Sequence, residues 1–319
     1  MNDVINGFNS TKILAIGDLM VDHYVYGTVT RISPEAPVPV IKVETESYKL
    51  GGAANAINNI KSLGGDVEAI GVIGIDDTGR ILLNLLNEKS IDTEGIILCG
   101  NRSTTVKTRI IGNDQQIVRI DTESKKPLDT ETTQQILKNI KDEIKNFNAI
   151  LISDYDKGMI THYLLDKLIP MARSSNIPII VEPKVENLLN YKNTTVVVSD
   201  LTELSQASSI KPINETSIRN MGQWLLTHLD CNGVLITRGK KGISLFEKDK
   251  VVKHFPGAVK EMYNVTGVKD VITSVMALAL ANGSDMSTAA EIASVASTLA
   301  AGKVGTITIT REDLLNQIQ

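Results

Sequence analysis

Residues 52–74 read GAANAINNIKSLGGDVEAIGVIG. Gly52–Leu63 carries apolar residues at helical spacing, and Val67–Gly74 is an apolar run that reads as a buried strand. Just upstream, Lys12–Gly17 is a second short apolar run, ending in Gly17-Asp18. Downstream, Asp77–Leu86 is helical again. Strand, helix, strand, helix argues for an α/β fold with a parallel sheet covered on both faces. The rhythm resumes after residue 130. Strands are predicted at Ala149–Ser153, Ile177–Glu182, Thr195–Ser199 and Gly233–Thr237, with a closing pair at Gly242–Glu247 and Val251–Phe255. Helices are predicted at Thr130–Lys145, His162–Ser174 and Ser217–Leu229. Two small-residue-rich helices end the chain. One starts after Gly267 and runs to Ala281; the other spans Ser287–Ala301, with Ser287 or Thr288 as N-cap and Gly302 as stop.

Two segments break this rhythm. Val38–Val43 alternates apolar with polar residues, and Thr104–Asp121 holds two such runs around Gly112-Asn113-Asp114, a hairpin signal. Alternation means one wet or partner-facing surface, so these strands belong to a small side sheet. It draws on residues of about 19–50 and 103–121. Lys125-Lys126-Pro127 is too short to separate domains, so residues 1–319 read as one domain.

Bulk properties narrow the function. Of 319 residues, 42% are hydrophobic and 22% charged, and the net charge of −4 leaves no nucleic-acid footprint. Two cysteines, Cys99 and Cys231, are too few for a disulfide framework and are expected as buried thiols in a reducing compartment. Met1–Lys12 lacks a signal-peptide pattern, and no run reaches the roughly eighteen apolar residues of a membrane span. A cytoplasmic protein without a membrane partner is expected. His23, His162, His228 and His254 show no metal-ligand spacing, so no zinc site is expected. Neither a P-loop nor a Gly-x-Gly-x-x-Gly is present.

Several segments can carry chemistry, each with a plainer alternative. Asp18 and Asp22 follow a strand end, where ligands of parallel sheets bind; they serve sugar hydroxyls or merely cap turns. Gly51 and Gly52 before a helix let backbone approach a ligand, and Asn55 in its first turn can reach hydroxyls; a tight helix entry explains the same residues. Arg31, in Arg31-Ile32-Ser33-Pro34-Glu35-Ala36-Pro37, is a phosphate ligand or a solvated arginine, and Arg102, Lys107, Arg109 and Arg119 share that choice. Lys184 in Glu182-Pro183-Lys184, and Asp200 and Glu203 in Asp200-Leu201-Thr202-Glu203, follow strands on the same rim. Asp200 and Glu203 either hold magnesium through water or cap a helix. Thr237-Arg238-Gly239-Lys240-Lys241-Gly242 meets nucleotide phosphates or is a solvated turn. In Asn264-Val265-Thr266-Gly267-Val268-Lys269-Asp270, an acid at a helix start either answers the macrodipole or takes a proton beside amides that hold a phosphoryl group.

The order and spacing of these motifs resemble the ribokinase-like (PfkB) carbohydrate kinases over nearly the whole chain. Arg31–Pro37, with Gln116-Ile117-Val118-Arg119-Ile120-Asp121 and Ser153-Asp154-Tyr155-Asp156-Lys157-Gly158, is similar to the heptose-7-phosphate kinase half of the bifunctional heptose enzymes of lipopolysaccharide precursor synthesis. The chain ends where that half ends, so a kinase without a nucleotidyltransferase half is expected. The resemblance implies a three-layer α/β sandwich with a β lid that forms a homodimer interface in relatives. It implies transfer of the γ-phosphoryl of ATP, with magnesium, to the anomeric hydroxyl of D-glycero-β-D-manno-heptose 7-phosphate. Asp270 would be the base and the amides of Gly267, Val268, Lys269 and Asp270 the anion hole. Asp18, Asp22, Arg31, Gly51, Gly52, Asn55, Arg109, Arg119, Asp154 and Lys157 would hold the sugar phosphate. Lys184, Asp200, Thr237, Arg238, Gly239 and Gly242 would meet the nucleotide, with Asp200 and Glu203 on magnesium. The chain departs from the family's Gly-Ala-Gly-Asp at Val268-Lys269, from Asp-Pro-Lys at Glu182, and from Pro-Asn-x-x-Glu at Ser199-Asp200; Asp156 stands where Gly is common. Lys269 either obstructs the anion hole or replaces part of it. Two alternatives follow: an impaired homologue that binds a sugar phosphate as a regulator, or a kinase for another sugar phosphate.

Overall fold

Along strand β1 (Lys12–Gly17), successive side chains point into two different cores. Ile13 and Ala15 join one apolar cluster, Leu14 and Ile16 the other, and all four are buried. A strand can do this only when helices cover both faces of its sheet. The computed structural model describes residues 1–257, 267–302 and 308–318.

The lid strands β2 (Leu19–Ile32) and β3 (Pro39–Gly52) come next, then helix α2 (Ala53–Ser62), β4 (Asp66–Gly74), α3 (Asp77–Glu88) and β5 (Ile96–Cys99). Helix α1 (Asn2–Asn6) precedes β1. The hairpin β6 (Thr105–Gly112) and β7 (Gln115–Thr122) leads to α4 (Thr130–Glu143), β8 (Ala149–Ser153), α5 (His162–Ser174) and β9 (Ile179–Glu182). Then follow β10 (Val196–Asp200), α6 (Leu201–Ser208), α7 (Glu215–Leu229), β11 (Gly233–Thr237), β12 (Ile243–Glu247) and β13 (Lys253–Phe255). Helices α8 (Val268–Ala281), α9 (Met286–Ala301) and α10 (Arg311–Ile318) complete the described chain.

The main sheet runs β13-β12-β11-β10-β9-β8-β1-β4-β5, parallel except for the two antiparallel pairings of β12. The lid sheet runs β3-β2-β6-β7. One core layer packs α2, α8 and α9 on the sheet, through Ile57, Val275 and Ile292. The other packs α4, α5 and α7, through Ile140, Leu168 and Leu225. The fold is therefore an α/β three-layer sandwich with a separate β lid. Helix α8 is apolar all round, and every residue from Asp270 to Ala279 is buried. Only its N-terminus reaches the rim where β1, β8, β9, β10 and β11 end.

Several expectations need correction. The N-cap of α9 is Asp285, which accepts from the amides of Ser287 and Thr288; an aspartate two residues earlier already satisfies those donors. Cys231 is buried, but Cys99 is only half-buried because it ends the edge strand β5. The first two residues of the Arg31–Pro37 motif, Arg31 and Ile32, end β2, which pairs with β3 over its whole length. Asn264, Val265 and Thr266 of the motif before α8 lie outside the described residues. Among the described residues no helix is long and apolar enough to cross a membrane.

Candidate active site

Two cavities open on the rim, of about 430 and 330 Å³. Thr237, Arg238, Gly239, Gly242 and Asp200 line the larger one, together with Val268 and Lys269. Asp22, Gly52, Arg109, Arg119, Lys157 and Asp270 line the smaller one, with Lys107, Tyr155, Glu182 and Lys184. Lys269 lines both. It therefore stands in the wall between them, on the first turn of α8.

Asp270 is 3% exposed, so its carboxylate reaches the smaller cavity only at one edge. Asn55 Nδ2 donates to one oxygen at 2.7 Å, and the Tyr155 hydroxyl donates to the other at 2.7 Å. Burial pushes its carboxyl up to about 6, against the downward pull of those two donors and of the Lys269 charge. A carboxylate tuned toward neutrality and fixed at two points is suited to taking a proton from an alcohol. Gly267, the N-cap of α8, sits at φ 82, a left-handed conformation that a side chain would strain. It has no side chain to cap the helix, so the amides of Val268, Lys269 and Asp270 begin α8 without a side-chain acceptor.

Three of the cations on the smaller cavity, Lys107, Arg109 and Arg119, come from the lid, and Lys157 comes from the loop after β8. Arg109 donates to Asp22 at 2.6 Å and lies over the Tyr24 ring. Lys107 bridges Asp121 and Glu123, Lys157 pairs with Glu123, and Arg119 pairs with Asp121. With Lys184 and Lys269, six cations among the described residues line this cavity, and each of the four named here is paired with a carboxylate. Gly52, at φ 54, ends β3 in a conformation open to glycine; a Cβ there would meet Met20 Cε at 2.5 Å and the Asp18 carbonyl at 2.8 Å.

Five predicted ligands of the sugar are placed elsewhere. Asp18 is buried and its carboxylate accepts the amides of Tyr155 at 2.8 Å, Lys157 at 3.1 Å and Met159 at 3.1 Å. It ties down the 154–159 loop, the turn-capping role. Burial and then the Asp154 charge push it up to about 6, despite those three amides. Asp154 accepts from Tyr191, Asn187 and the Asp156 amide and is equally buried. Asn55 lies behind Asp270, not in the cavity. Arg31 is exposed near the far end of β2. Gly51 does not line the cavity, but a Cβ there would sit 2.9 Å from Asp22 Oδ2, so its bareness makes room for that carboxylate. Lys184 lines the smaller cavity instead of the larger, its ammonium 5.0 Å above the Tyr155 ring. Tyr155 carries no local sequence signal of a site role, although it lies in the Ser153–Gly158 motif.

The acidic residues on the other side of the wall are spoken for. Asp200 and Glu203 form a capping box on α6: Asp200 accepts the Thr202 and Glu203 amides, and Glu203 Oε2 accepts the Asp200 amide. Glu203 Oε1 lies 2.6 Å from Lys269 Nζ, Asp200 Oδ2 lies 3.3 Å from it, and Glu182 Oε1 lies 3.9 Å away. Burial lowers the affinity of that ammonium for its proton, but Glu182, Glu203 and Asp200 outweigh burial and hold it above the usual lysine range. Burial also pushes the Glu182 carboxyl well up, with the Asp270 charge adding to it. Magnesium needs oxygen ligands in near-octahedral array, with free carboxylate lone pairs. Among the described residues no group of three or more His, Cys, Asp or Glu side chains could hold a metal ion. The magnesium role expected of Asp200 and Glu203 is thus not fitted by free carboxylates: both cap α6 and both pair with Lys269.

Comparisons with known proteins bear on the family and the fold. The profile of the pfkB family carbohydrate kinases matches residues 10–313. The bifunctional protein HldE of Geobacter metallireducens is 40% identical over 96% of this chain, and that of Geobacter sulfurreducens 39% over 96%. The chain spans 62% of the length of each. Among solved structures, Arabidopsis thaliana ribokinase complexed with ribose and ATP superposes with a TM-score of 0.76 at 17% identity, covering 97% of this chain and 99% of that one. Escherichia coli phosphofructokinase-2 in complex with potassium gives 0.78 at 17% identity, covering 96% and 97%. A rim of strand ends, a buried aspartate at the mouth of an apolar helix and a match over most of the length lead to one conclusion: the chain belongs to the pfkB family of carbohydrate kinases.

Proposed function

We propose that the chain transfers the γ-phosphoryl group of ATP to the anomeric hydroxyl of a sugar phosphate, by preference D-glycero-β-D-manno-heptose 7-phosphate. The observation that carries this reading is Asp270, buried, raised toward neutrality, and placed on the wall that divides the two cavities. The nucleotide lies in the larger cavity, its phosphates toward Arg238, Gly239 and Val268. The sugar lies in the smaller one, its existing phosphate among Lys107, Arg109, Arg119 and Lys157. Asp270 takes the hydroxyl proton as that oxygen bonds to the γ-phosphorus and the bond to the ADP oxygen breaks. First-turn amides of α8 steady the migrating group. Magnesium travels with the triphosphate as part of that substrate. The heptose choice is supported by the identity to HldE proteins, and a second copy docked on the lid is supported by exposed Ile117, Val118 and Ile120 on β7.

Purified protein with Mg-ATP and a panel of sugar phosphates tests the reading. Heptose 7-phosphate is expected as the best substrate, and no transfer to any sugar phosphate sinks it. Binding without transfer would favour a second reading, a regulator that holds sugar phosphate, for which the Lys269 side chain in the wall is the supporting observation.

Two further outcomes are expected. Lys157→Ala or Arg119→Ala should raise KM for the sugar phosphate by about tenfold while kcat falls little, since a phosphate remote from the reaction is bound equally in ground and transition states. An unchanged KM would remove the phosphate from this site. Tyr155→Phe should cost about tenfold in kcat and move the acidic limb of the pH–rate profile upward. The phenol stabilises ionised Asp270, so its loss raises that group further. A limb that stays put contradicts the positioning role.

A further inference from the structure

The wall between the cavities carries its own cation. Lys269 projects from the first turn of α8 toward the ends of β9 and β10 and the start of α6, with Glu182, Asp200 and Glu203 around its nitrogen at 3.9, 3.3 and 2.6 Å. Its side chain is 21% exposed, and it lines both cavities. Lys184 adds a second ammonium 3.7 Å from the same Glu203 oxygen. The remaining Glu203 oxygen is taken by the Asp200 amide and the Ser199 hydroxyl.

Without a cation there, the Asp200 and Glu203 carboxylates, with the Glu182 carboxyl beside them, would face a polyphosphate arriving in one cavity and Asp270 in the other. Like charges at such distances repel strongly in a half-buried wall. A kinase can meet this demand with a metal ion held by protein carboxylates or with a tethered ammonium. Only the ammonium is built into these residues.

We propose that Lys269 is the resident counter-ion of the phosphoryl-transfer wall, occupying the place among Glu182, Asp200 and Glu203 that a protein-held divalent ion would need. The proposal deepens the kinase reading and rests on it for the identity of the wall. It has two consequences. The nucleotide-free protein holds no divalent ion at this cluster. Removing the ammonium leaves Asp200 Oδ2 and Glu203 Oε1 without it, beside the Glu182 carboxyl, and lets a divalent ion take its place.

The test needs no turnover, so its failure and that of the kinase reading are distinguishable. Mn²⁺ is titrated into nucleotide-free protein by calorimetry and by paramagnetic relaxation of water. Wild type should show no site, whereas Lys269→Met should gain one at least about tenfold tighter than any wild-type binding. Glu203→Gln added to Lys269→Met should abolish the gain. Mn²⁺ bound by wild type and lost in Glu203→Gln overturns the proposal, as does a folded Lys269→Met that gains nothing. Should Lys269→Met fail to fold, Lys269→Gln repeats the test with a polar side chain of similar reach. If that also fails, the wild-type titration decides alone.

Discussion

Asp270→Asn is expected to lower kcat by about three orders of magnitude, the loss of a general base together with the orientation it imposes. Nucleotide affinity should stay within about twofold if, as proposed, ATP binds in the larger cavity, which Asp270 does not line. The same change should stabilise the fold. The folded carboxyl lies at about 6, above its ordinary 3.8, because burial penalises the charge. A raised acid contributes stability that is present below its ordinary value and lost as pH rises through the folded value. At pH 7.5 the carboxylate is therefore held ionised at a cost, and the neutral amide relieves on the order of 2 kcal/mol of it. Urea unfolding should show the variant more stable at pH 7.5, with the gap narrowing below pH 6 and closing only as pH approaches 3.8. For the wild-type enzyme the pH–rate profile should fall on the acid side near pH 6, since the base must be unprotonated to act. A variant equally active at pH 7.5, or a flat profile down to pH 5, contradicts the role.

The second large effect is expected at Asp18, and it concerns stability first. Its carboxylate accepts three main-chain amides of the 154–159 segment. Asp18→Ala leaves those donors without it in a buried place, at about 1–3 kcal/mol each. Relief of the burial penalty on the carboxylate offsets part of this. The net loss should be about 3 kcal/mol in urea unfolding at pH 7.5. Because Tyr155 and Lys157 belong to the released segment, kcat should fall and KM for the sugar phosphate should rise together. A direct sugar ligand would give a different pattern, with KM raised and stability nearly unchanged. Asp18 also differs from Asp270 in sign: removing one destabilises, removing the other stabilises, although burial raises both carboxyls to about 6.

The contrast between these aspartates shows what could be read along the chain. Strand-and-helix alternation placed β1, α2, β4 and β8 to within a residue or two, because a buried parallel strand leaves a local apolar run. The Gly267–Asp270 segment was legible for the same reason, since glycine, acid and apolar helix are adjacent in sequence. Long lid strands were not. β2 starts buried and ends exposed, so it lacks a single period, and only part of its partner β3 alternates. Site roles that depend on distant partners were hidden altogether. Asp18 finds its donors 137 to 141 residues away, and Asn55 finds Asp270 at a separation of 215. The local motif gave the same acid at the same strand end in either case, and only the fold decides whether it faces ligand or backbone. Lys269 was visible as a departure from the family pattern, yet its three partners come from segments read separately as nucleotide and metal ligands.

The measurement that bears most directly on the central claim is a structure with a non-hydrolysable ATP analogue and heptose 7-phosphate bound together. The account predicts the triphosphate in the cavity of Arg238 and Gly239, the sugar phosphate among Lys107, Arg109, Arg119 and Lys157, and the anomeric oxygen within hydrogen-bond reach of Asp270. A nucleotide seated among the lid cations, or an acceptor oxygen facing any group but Asp270, would contradict it.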